Sequence, residues 1–380
     1  MERLENDALH ELLRMALDDE CSPRFLSRKF SAEEWESLHS ECLKQLVAGV
    51  VYRAISHLPR DMQPPLEIAF QWASEAETIK GQNKLLNAEA ARLTDLFAAQ
   101  GRKTAVLKGP ANALLYPAPD LRQAGDIDLW VEGGRDSVVG LLKKMGYEDC
   151  DSDYSSSHHV HLYPVQNGIS VEIHYQSTSG NWNPFTSARL IRFLDQEIQN
   201  VERVKEGFYV PSIKFALVMQ LAHIQHHFIA GGIGFKQILD YYLLLKRSAE
   251  SDRREIAPLL SRLGLLKVCR ALMWVLDHVL GLDKSRMLCA PNEKYGRMML
   301  TVVQNGGNFG RYAVDPVKDA SMNFILRFIR KRWRNFQMFW FAPVEVLGHE
   351  LAYWIMFAKS IPLRIKLRRW SLWDLYHPKM

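Results

Sequence analysis

The sequence predicts an α+β fold in which a small mixed α/β unit lies between two helical flanks. Apolar residues recur at helical spacing near both ends of the 380-residue chain. Between them, short β-type runs alternate with turns that contain Gly, Pro or Asn-Gly. A hydrophobic share of 47% and a charged share of 24% are ordinary for a globular protein, so we expect a sizeable core.

The N-terminal region, residues 1–65, is predicted to be helical. Ser31 and Glu34 form a capping box, which is a typical start of a helix. Prolines at positions 59, 64 and 65 interrupt the helical pattern and set the first boundary. A long helix is then expected from about residue 68 to residue 100, with Gly101 well suited to end it.

The central region, residues 66–210, contains the predicted strands. Residues 104–107 form a short apolar strand, followed by a Lys-Gly-Pro turn, a short helix at 112–116 and a β-type run at 126–131. A helix is expected at 135–145, and strands at 159–163 and 170–174 are joined by an Asn-Gly turn. Residues 211–380 are predicted to be a C-terminal helical domain with a basic and aromatic tail.

Three carboxylates in this central region are candidates for a metal site. Asp126 and Asp128 are two apart in a strand, so their side chains share one face. Glu172 alternates with the apolar Val171 and Ile173, and would join them if its strand lies beside theirs. Carboxylate oxygens suit Mg²⁺, and two metal ions about 3.5–4 Å apart can assist phosphoryl chemistry.

The order of these residues resembles a known family. The series Lys108-Gly109, Tyr116, Arg122, Asp126-x-Asp128 and Glu172-x-His174 is similar to the uncharacterised nucleotidyltransferase family of the polymerase-β-like superfamily. The likeness covers about residues 85–245 and includes a histidine-rich helical segment at 221–227 with a later Asp at position 240. It implies a minimal nucleotidyltransferase fold with a mixed sheet and helical flanks.

The resemblance also implies roles for these residues. Asp126, Asp128 and Glu172 would be metal ligands and the catalytic set, with Mg²⁺ or Mn²⁺ as the cofactor, and Glu172 is alternatively a proton acceptor. Gly109 would let the backbone approach the nucleotide phosphates. Lys108, Arg122 and His174 would complete the nucleotide-binding set.

The implied activity is transfer of a nucleoside monophosphate from an NTP, such as ATP, to an acceptor, with release of pyrophosphate. The acceptor stays open among a small molecule, a glycan, a protein and tRNA. Gly109-Pro110 departs from the Gly-Ser or Gly-Gly of the superfamily, and proline removes a backbone donor. The alternative is therefore a catalytically silent module of the same fold that binds a nucleotide or a partner. In this alternative the protein would act at the membrane periphery in a surface-polysaccharide pathway.

The C-terminal stretch, residues 324–370, carries ten Lys/Arg and only two acidic residues, interleaved with aromatics. This pattern suits an interfacial helix on anionic lipid, an acceptor RNA, or a flank that packs its aromatics inward. The N-terminus is acidic and unlike a signal peptide, and the five cysteines are scattered. We expect a cytoplasmic protein, with peripheral contact at the inner membrane face as the alternative.

Two groups of histidines leave their interpretation open. His223, His226 and His227 on a predicted helix are either structural, cleft-lining or metal ligands. The histidines at 158, 159 and 161 have the same alternatives, since an imidazole suits a surface, a cleft or a metal.

Overall fold

The computed structural model describes residues 2–18, 28–123, 125–147, 158–162, 168–308 and 324–366, and it confirms the α+β class. The strands in the described residues are β1 (Thr104–Val106), β2 (Ile127–Val131), β3 (His159–His161), β4 (Val171–His174), β5 (Val201–Arg203) and β6 (Tyr209–Pro211). The helices there are α1 (Glu2–Ala16), α2 (Ala32–Gln45), α3 (Ala48–Ser56), α4 (Leu66–Ala98), α5 (Pro110–Ala113), α6 (Gly134–Lys144), α7 (Pro184–Glu197), α8 (Ile213–Ala230), α9 (Phe235–Arg247), α10 (Glu250–Ile256), α11 (Leu266–Leu280), α12 (Glu293–Gly306), α13 (Phe324–Phe339) and α14 (Pro343–Lys366).

The central sheet has the strand order β1-β2-β4-β3. Strand β2 runs antiparallel to β1 and parallel to β4, and β3 runs antiparallel to β4. The sheet is therefore mixed, as predicted, with the parallel pair at its centre. The turn at Asn167-Gly168, predicted to join β3 to β4, lies partly outside the described residues.

The two faces of the sheet have different partners. The apolar residues that alternate along the strands, among them Leu129 and Ile173, pack against the long helix α4 and against α6. Helix α4 contributes Leu93 and Phe97 to this contact, and both are fully buried. The opposite face holds the polar residues of the central strands, and its apolar members Leu107 and Trp130 belong to the same buried cluster as residues of α8 and α9.

The N-terminal and C-terminal helices share one hydrophobic core. Leu9 of α1, Trp35 of α2 and Leu239 of α9 belong to the same buried cluster. Polar contacts reinforce it, because Arg14 donates to the carbonyl of Val279 and Gln45 donates to that of Val303. The first and third sequence regions thus pack together around the central sheet, and the boundaries at 65 and 210 remain a prediction.

Local signals placed several elements correctly. The capping box of Ser31 and Glu34 is present at the start of α2. Gly101 has a φ of +69°, a left-handed conformation that favours glycine and follows the end of α4. The short helix α5 begins at Pro110, earlier than predicted, because proline is well tolerated in the first turn of a helix.

Candidate active site

Asp128 and Glu172 lie directly opposite each other on the parallel strands β2 and β4. His174 is two residues beyond Glu172 and opposite Trp130, so all these side chains project from the same face of the sheet. The apolar residues between them point into the α4 and α6 layer, which anchors the strands. The structure therefore brings Glu172 to the same side of the sheet as Asp128.

Asp128 is completely buried, and two cationic groups surround its carboxylate. The Lys108 Nζ and the His174 Nε2 each lie 3.0 Å from Asp128 Oδ1. Burial alone would raise the pKa of Asp128, but the charge of Lys108 and the hydrogen bond with His174 outweigh it, so the pKa is strongly lowered. Asp128 is an anion whose second oxygen, Oδ2, has no hydrogen-bond partner among the described residues.

His174 connects the two strand carboxylates. Its Nε2 lies 3.0 Å from Asp128 Oδ1 and 3.3 Å from Glu172 Oε2. Burial lowers the pKa of the imidazole, but the hydrogen bonds to Asp128 and Glu172 raise it by more than burial lowers it. The net shift of the pKa is therefore upward. The ring thus holds the carboxylates together while they carry negative charge.

Asp126 lies just before β2 and is half-buried. Its pKa is raised, chiefly by repulsion from the negative charge of Asp128 and also by burial. Glu172 has a lowered pKa: burial raises it, but the hydrogen bond with His174 dominates. Two like charges held close without a neutralising cation between them are unfavourable, which is the situation that a bound divalent ion relieves.

Three sets of donor atoms in the described residues are compact enough to hold a metal ion, with all atoms of a set within 4.8 Å of one another. One set is Asp128, Glu172 and His174. Asp126 belongs to none of the sets found in the described ranges, although the charge of Asp128 raises its pKa. The donor chemistry fits a divalent cation, as does Asp128 Oδ2, which has no hydrogen-bond partner in the described part of the chain. The other two sets are His158, His159 and His174, and His159, His161 and Glu172.

Gly109 brings the backbone of the turn after β1 against the start of β2. Its φ is +63°, and a Cβ atom at this position would lie only 2.7 Å from the carbonyl oxygen of Asp126. Any other residue would collide with backbone here. The turn is held close to the carboxylates, as the predicted role of Gly109 requires, and Lys108 projects from it toward Asp128.

Arg122 is buried beneath this turn. Its Nε and an Nη donate to the two carboxylate oxygens of Asp240 at 2.7 and 2.6 Å, and its other Nη donates to the Gly109 carbonyl at 3.1 Å. The Tyr116 hydroxyl and the Asn112 amide donate to the same carboxylate. The structure thus places Arg122 in a network that ties the turn to α9, and its expected contact with the triphosphate remains a prediction.

The histidines of α8 face the site from the helical side. His223 is half-buried, and both burial and the charge of Lys108 depress its pKa. The pKa of His227 is lowered to about 3, mainly by burial and also by His226 and Lys108. The His226 ring stacks on Trp182, with ring centroids 4.9 Å apart. All three imidazoles lie close enough to Lys108 for its charge to lower their pKa values.

Lys236 is a charged residue near the carboxylates that the sequence did not single out. It lies on α9, one helical turn before Asp240, and makes no ion pair within the described residues. Burial lowers its pKa to about 8, the charge of Arg122 adds to this effect, and Asp240 and Asp126 oppose it. The i, i+4 spacing from Asp240 was the available signal, but only the fold shows that this helix faces Asp126.

A hollow of about 480 Å³ lies near the carboxyl ends of β2 and β4. Trp130 connects it to the polar face of the sheet, and its other lining residues include Glu132, Arg135, Tyr175 and Asp195. Its lining does not include Asp126, Asp128 or Glu172. The carboxylate site is therefore distinct from this hollow.

A family model described as an uncharacterised nucleotidyltransferase matches residues 31–281, which include the whole carboxylate site and α8 and α9. Neither the curated proteins nor the solved structures contain a match.

Proposed function

Because the chain belongs to the uncharacterised nucleotidyltransferase family, we propose that it transfers a nucleoside monophosphate from an NTP to an acceptor hydroxyl and releases pyrophosphate. The observation that carries this proposal is the pairing of Asp128 with Glu172 on adjacent parallel strands, with Asp126 just before β2. The acceptor class stays open among small molecules, glycans, proteins and tRNA.

Asp126, Asp128 and Glu172 would hold Mg²⁺ or Mn²⁺. The fit is supported by the buried Asp128 Oδ2, which has no partner among the described residues, and by the repulsion that raises the pKa of Asp126. When bound, the metal would offset the negative charge of the phosphates and of the attacking oxygen. His174 would act through Asp128 and Glu172 by holding both carboxylates in place, while its predicted direct contact with the nucleotide remains a prediction.

The chain offers two lysines for the phosphates. Lys108 lies on the Gly109 turn with its ammonium beside Asp128, and Lys236 lies across from it on α9. An ammonium held beside a triphosphate stabilises the charge that develops on the departing pyrophosphate. Arg122 would hold the turn through the Gly109 carbonyl, because its other donors are bound to Asp240.

The transfer step requires one bond to form and one to break. The acceptor oxygen attacks the α-phosphorus, the bond from this phosphorus to the oxygen bridging to the β-phosphate breaks, and that oxygen leaves with pyrophosphate. The acceptor proton moves to a carboxylate oxygen of Glu172. Glu172 is ionised before the reaction, so an oxygen of its carboxylate is available to accept the proton.

The test is nucleotide turnover by the purified chain with labelled NTPs and Mg²⁺ or Mn²⁺. We expect pyrophosphate release and label transfer across a panel of acceptors, and loss of both in Asp126→Ala and Asp128→Ala. Asp136→Ala is the matched control, since this acidic side chain on α6 is almost fully exposed. Turnover that persists in both site variants contradicts the proposal.

A catalytically silent module is the competing function. Its support is Pro110, which takes the place of a backbone N–H donor in the turn next to Gly109. In that case the protein would bind NTP at the same site, with Asp126→Ala and Asp128→Ala weakening binding. Equilibrium binding without turnover across the whole acceptor panel favours this alternative.

We also propose that the hairpin of α13 and α14 contacts an anionic membrane surface. Within the described ranges, every helix is too short or too polar to cross a bilayer. The hairpin nonetheless exposes large apolar side chains, with Trp340 at 72% and Leu351 at 62%. Both acidic residues of the segment are turned to protein partners: Glu345 accepts from the Trp182 and Asn183 amides, and Glu350 pairs with Arg332.

Aromatic side chains in a segment rich in Lys and Arg match the chemistry of an anionic lipid interface. Flotation with vesicles that contain phosphatidylserine tests this contact. We expect the wild-type chain to float and the double variant Trp340→Ser/Trp354→Ser to remain at the bottom of the gradient. The control variant Phe70→Ser/Phe185→Ser removes two exposed aromatic side chains outside the hairpin and should float like the wild type. Flotation that is absent in the wild type, or equal in all variants, contradicts it.

A further inference from the structure

Two histidines of β3 and one carboxylate of β4 form a compact group at the edge of the sheet. His161 lies directly opposite Glu172 in the antiparallel pair, and His159 lies opposite His174. Because His159 and His161 are two apart in a strand, their rings project from the same face as Glu172. The group is therefore produced by strand alternation and register.

The distances within this group suit a single coordinated ion. Donor atoms of His159, His161 and Glu172 all lie within 4.8 Å of one another. The His159 Nδ1 is 3.6 Å from Glu172 Oε2, and the ring centroids of His159 and His161 are 5.2 Å apart. Ligands at about 2.0–2.2 Å around a tetrahedral ion are separated by about 3.3–3.6 Å, with imidazole centres about 5 Å apart.

We propose that His159, His161 and Glu172 form a second metal site that takes a transition-metal ion of the Zn²⁺ class. Two imidazoles and one carboxylate suit such an ion, whereas Mg²⁺ prefers oxygen ligands alone. All three residues are partly exposed, so an ion can enter from solvent. Three protein ligands around a four-coordinate ion leave a position open to water or a substrate group.

Glu172 places this site beside the carboxylate site. Its two oxygens allow it to bridge one ion bound by the histidines and another bound by Asp128, which lies opposite it. The molecule would then hold two ions of different chemistry on one face of the sheet. The inference goes beyond the proposed function, since ion binding by the histidines does not require that any nucleotide be transferred.

Titration of the metal-stripped, full-length protein with Co²⁺ tests the site without reference to activity. Co²⁺ bound by nitrogen and oxygen ligands in a tetrahedral site gives intense visible absorption bands, and Zn²⁺ added afterwards displaces it. We expect about one equivalent to bind in the presence of excess Mg²⁺. His159→Ala and His161→Ala should each weaken Co²⁺ binding about 100-fold or more, since even the loss of an outer-shell partner costs about 10- to 100-fold.

His158 and Asp126 provide the controls. His158→Ala should retain Co²⁺ binding, although His158 could form another set with His159 and His174. Asp126→Ala should also retain it, because Asp126 is not among the three proposed ligands. Thermal unfolding measured in EDTA verifies that each variant is folded. His159→Ala and His161→Ala test the ligand set separately, so a folding defect in one leaves the other informative. The ligand set is wrong if the wild type binds no Co²⁺, if both ligand variants bind it normally, or if His158→Ala abolishes binding while His161→Ala does not.

Discussion

Asp128 and Glu172 face each other across two parallel strands, and the single imidazole of His174 contacts both carboxylates. This arrangement keeps two negative charges within one small volume of a buried sheet face. Lys108 compensates part of that charge from the turn after β1. The remaining negative charge lies on Asp126 and on the Oδ2 of Asp128, which no described residue hydrogen-bonds.

The first prediction separates the two aspartates by their effect on stability. Asp126→Asn removes repulsion from Asp128 and should raise the melting temperature in EDTA, because the raised pKa shows that the Asp126 anion is disfavoured. Asp128→Asn should lower the free energy of unfolding by at least about 2 kcal/mol, since Lys108 and His174 lose a charged partner. Both variants should lose at least about 10²-fold in turnover. A similar stability change in both would contradict this reading.

The second prediction concerns the Gly109 turn. Gly109→Ala should strongly destabilise the protein and abolish nucleotide binding, because the new Cβ would lie 2.7 Å from the Asp126 carbonyl and the φ of +63° is already unfavourable for alanine. Gly101→Ala is the matched control, with a φ of +69° and no atom within 4 Å of the new Cβ. It should cost only about 1–2 kcal/mol by urea unfolding and leave binding intact. Equal losses of stability and nucleotide binding in the two variants would show that the contact between the new Cβ and the Asp126 carbonyl is unimportant.

The third prediction concerns the ion pair of Arg122 and Asp240. Asp240→Ala should lower the free energy of unfolding by about 3–5 kcal/mol, since it leaves a buried guanidinium without its carboxylate. It should also weaken NTP binding, because Arg122 donates to the Gly109 carbonyl. Glu250→Ala breaks an exposed pair with Arg254 on α10 and should change stability far less. Chemical denaturation of the two variants provides the comparison.

The fourth prediction is a pH dependence of nucleotide binding. Lys236, whose pKa is lowered to about 8, carries its charge below that pH and loses it above. NTP affinity should therefore fall as the pH rises through about 8. Lys236→Ala should weaken binding about ten- to a hundredfold below pH 8 and remove this transition. Lys236→Arg, whose guanidinium stays protonated, should bind NTP both below and above pH 8. A transition that persists in Lys236→Ala must come from another group.

Much of the fold followed from local patterns. The alternation of residues 126–131 and 170–174 predicted which side chains share a face, and the capping box of Ser31 predicted the start of α2. The metal-site prediction assumed that the strand of Glu172 pairs with the strand of Asp128, and the sequence did not itself predict this pairing. A period of two specifies the face of a strand but not its neighbour.

Other features depended on contacts between distant parts of the chain. Arg122 meets Asp240 from 118 residues away, so nothing in its own surroundings indicated that it would be buried. The only local signal of Lys236 was its i, i+4 spacing from Asp240, and the sequence left the histidines of β3 open among a surface, a cleft and a metal site. The packing of α9 and the register of β3 gave these residues their places.

The sequence by itself determined the α+β class, the family resemblance and the acidic residues from which a metal site is built. These depend on residue type and short-range periodicity, which each segment carries on its own. Only the tertiary structure decided which cations accompany those acids and which arginine is used internally. The reason is that charges acquire their partners and their pKa values through burial between elements that the chain brings together from far apart.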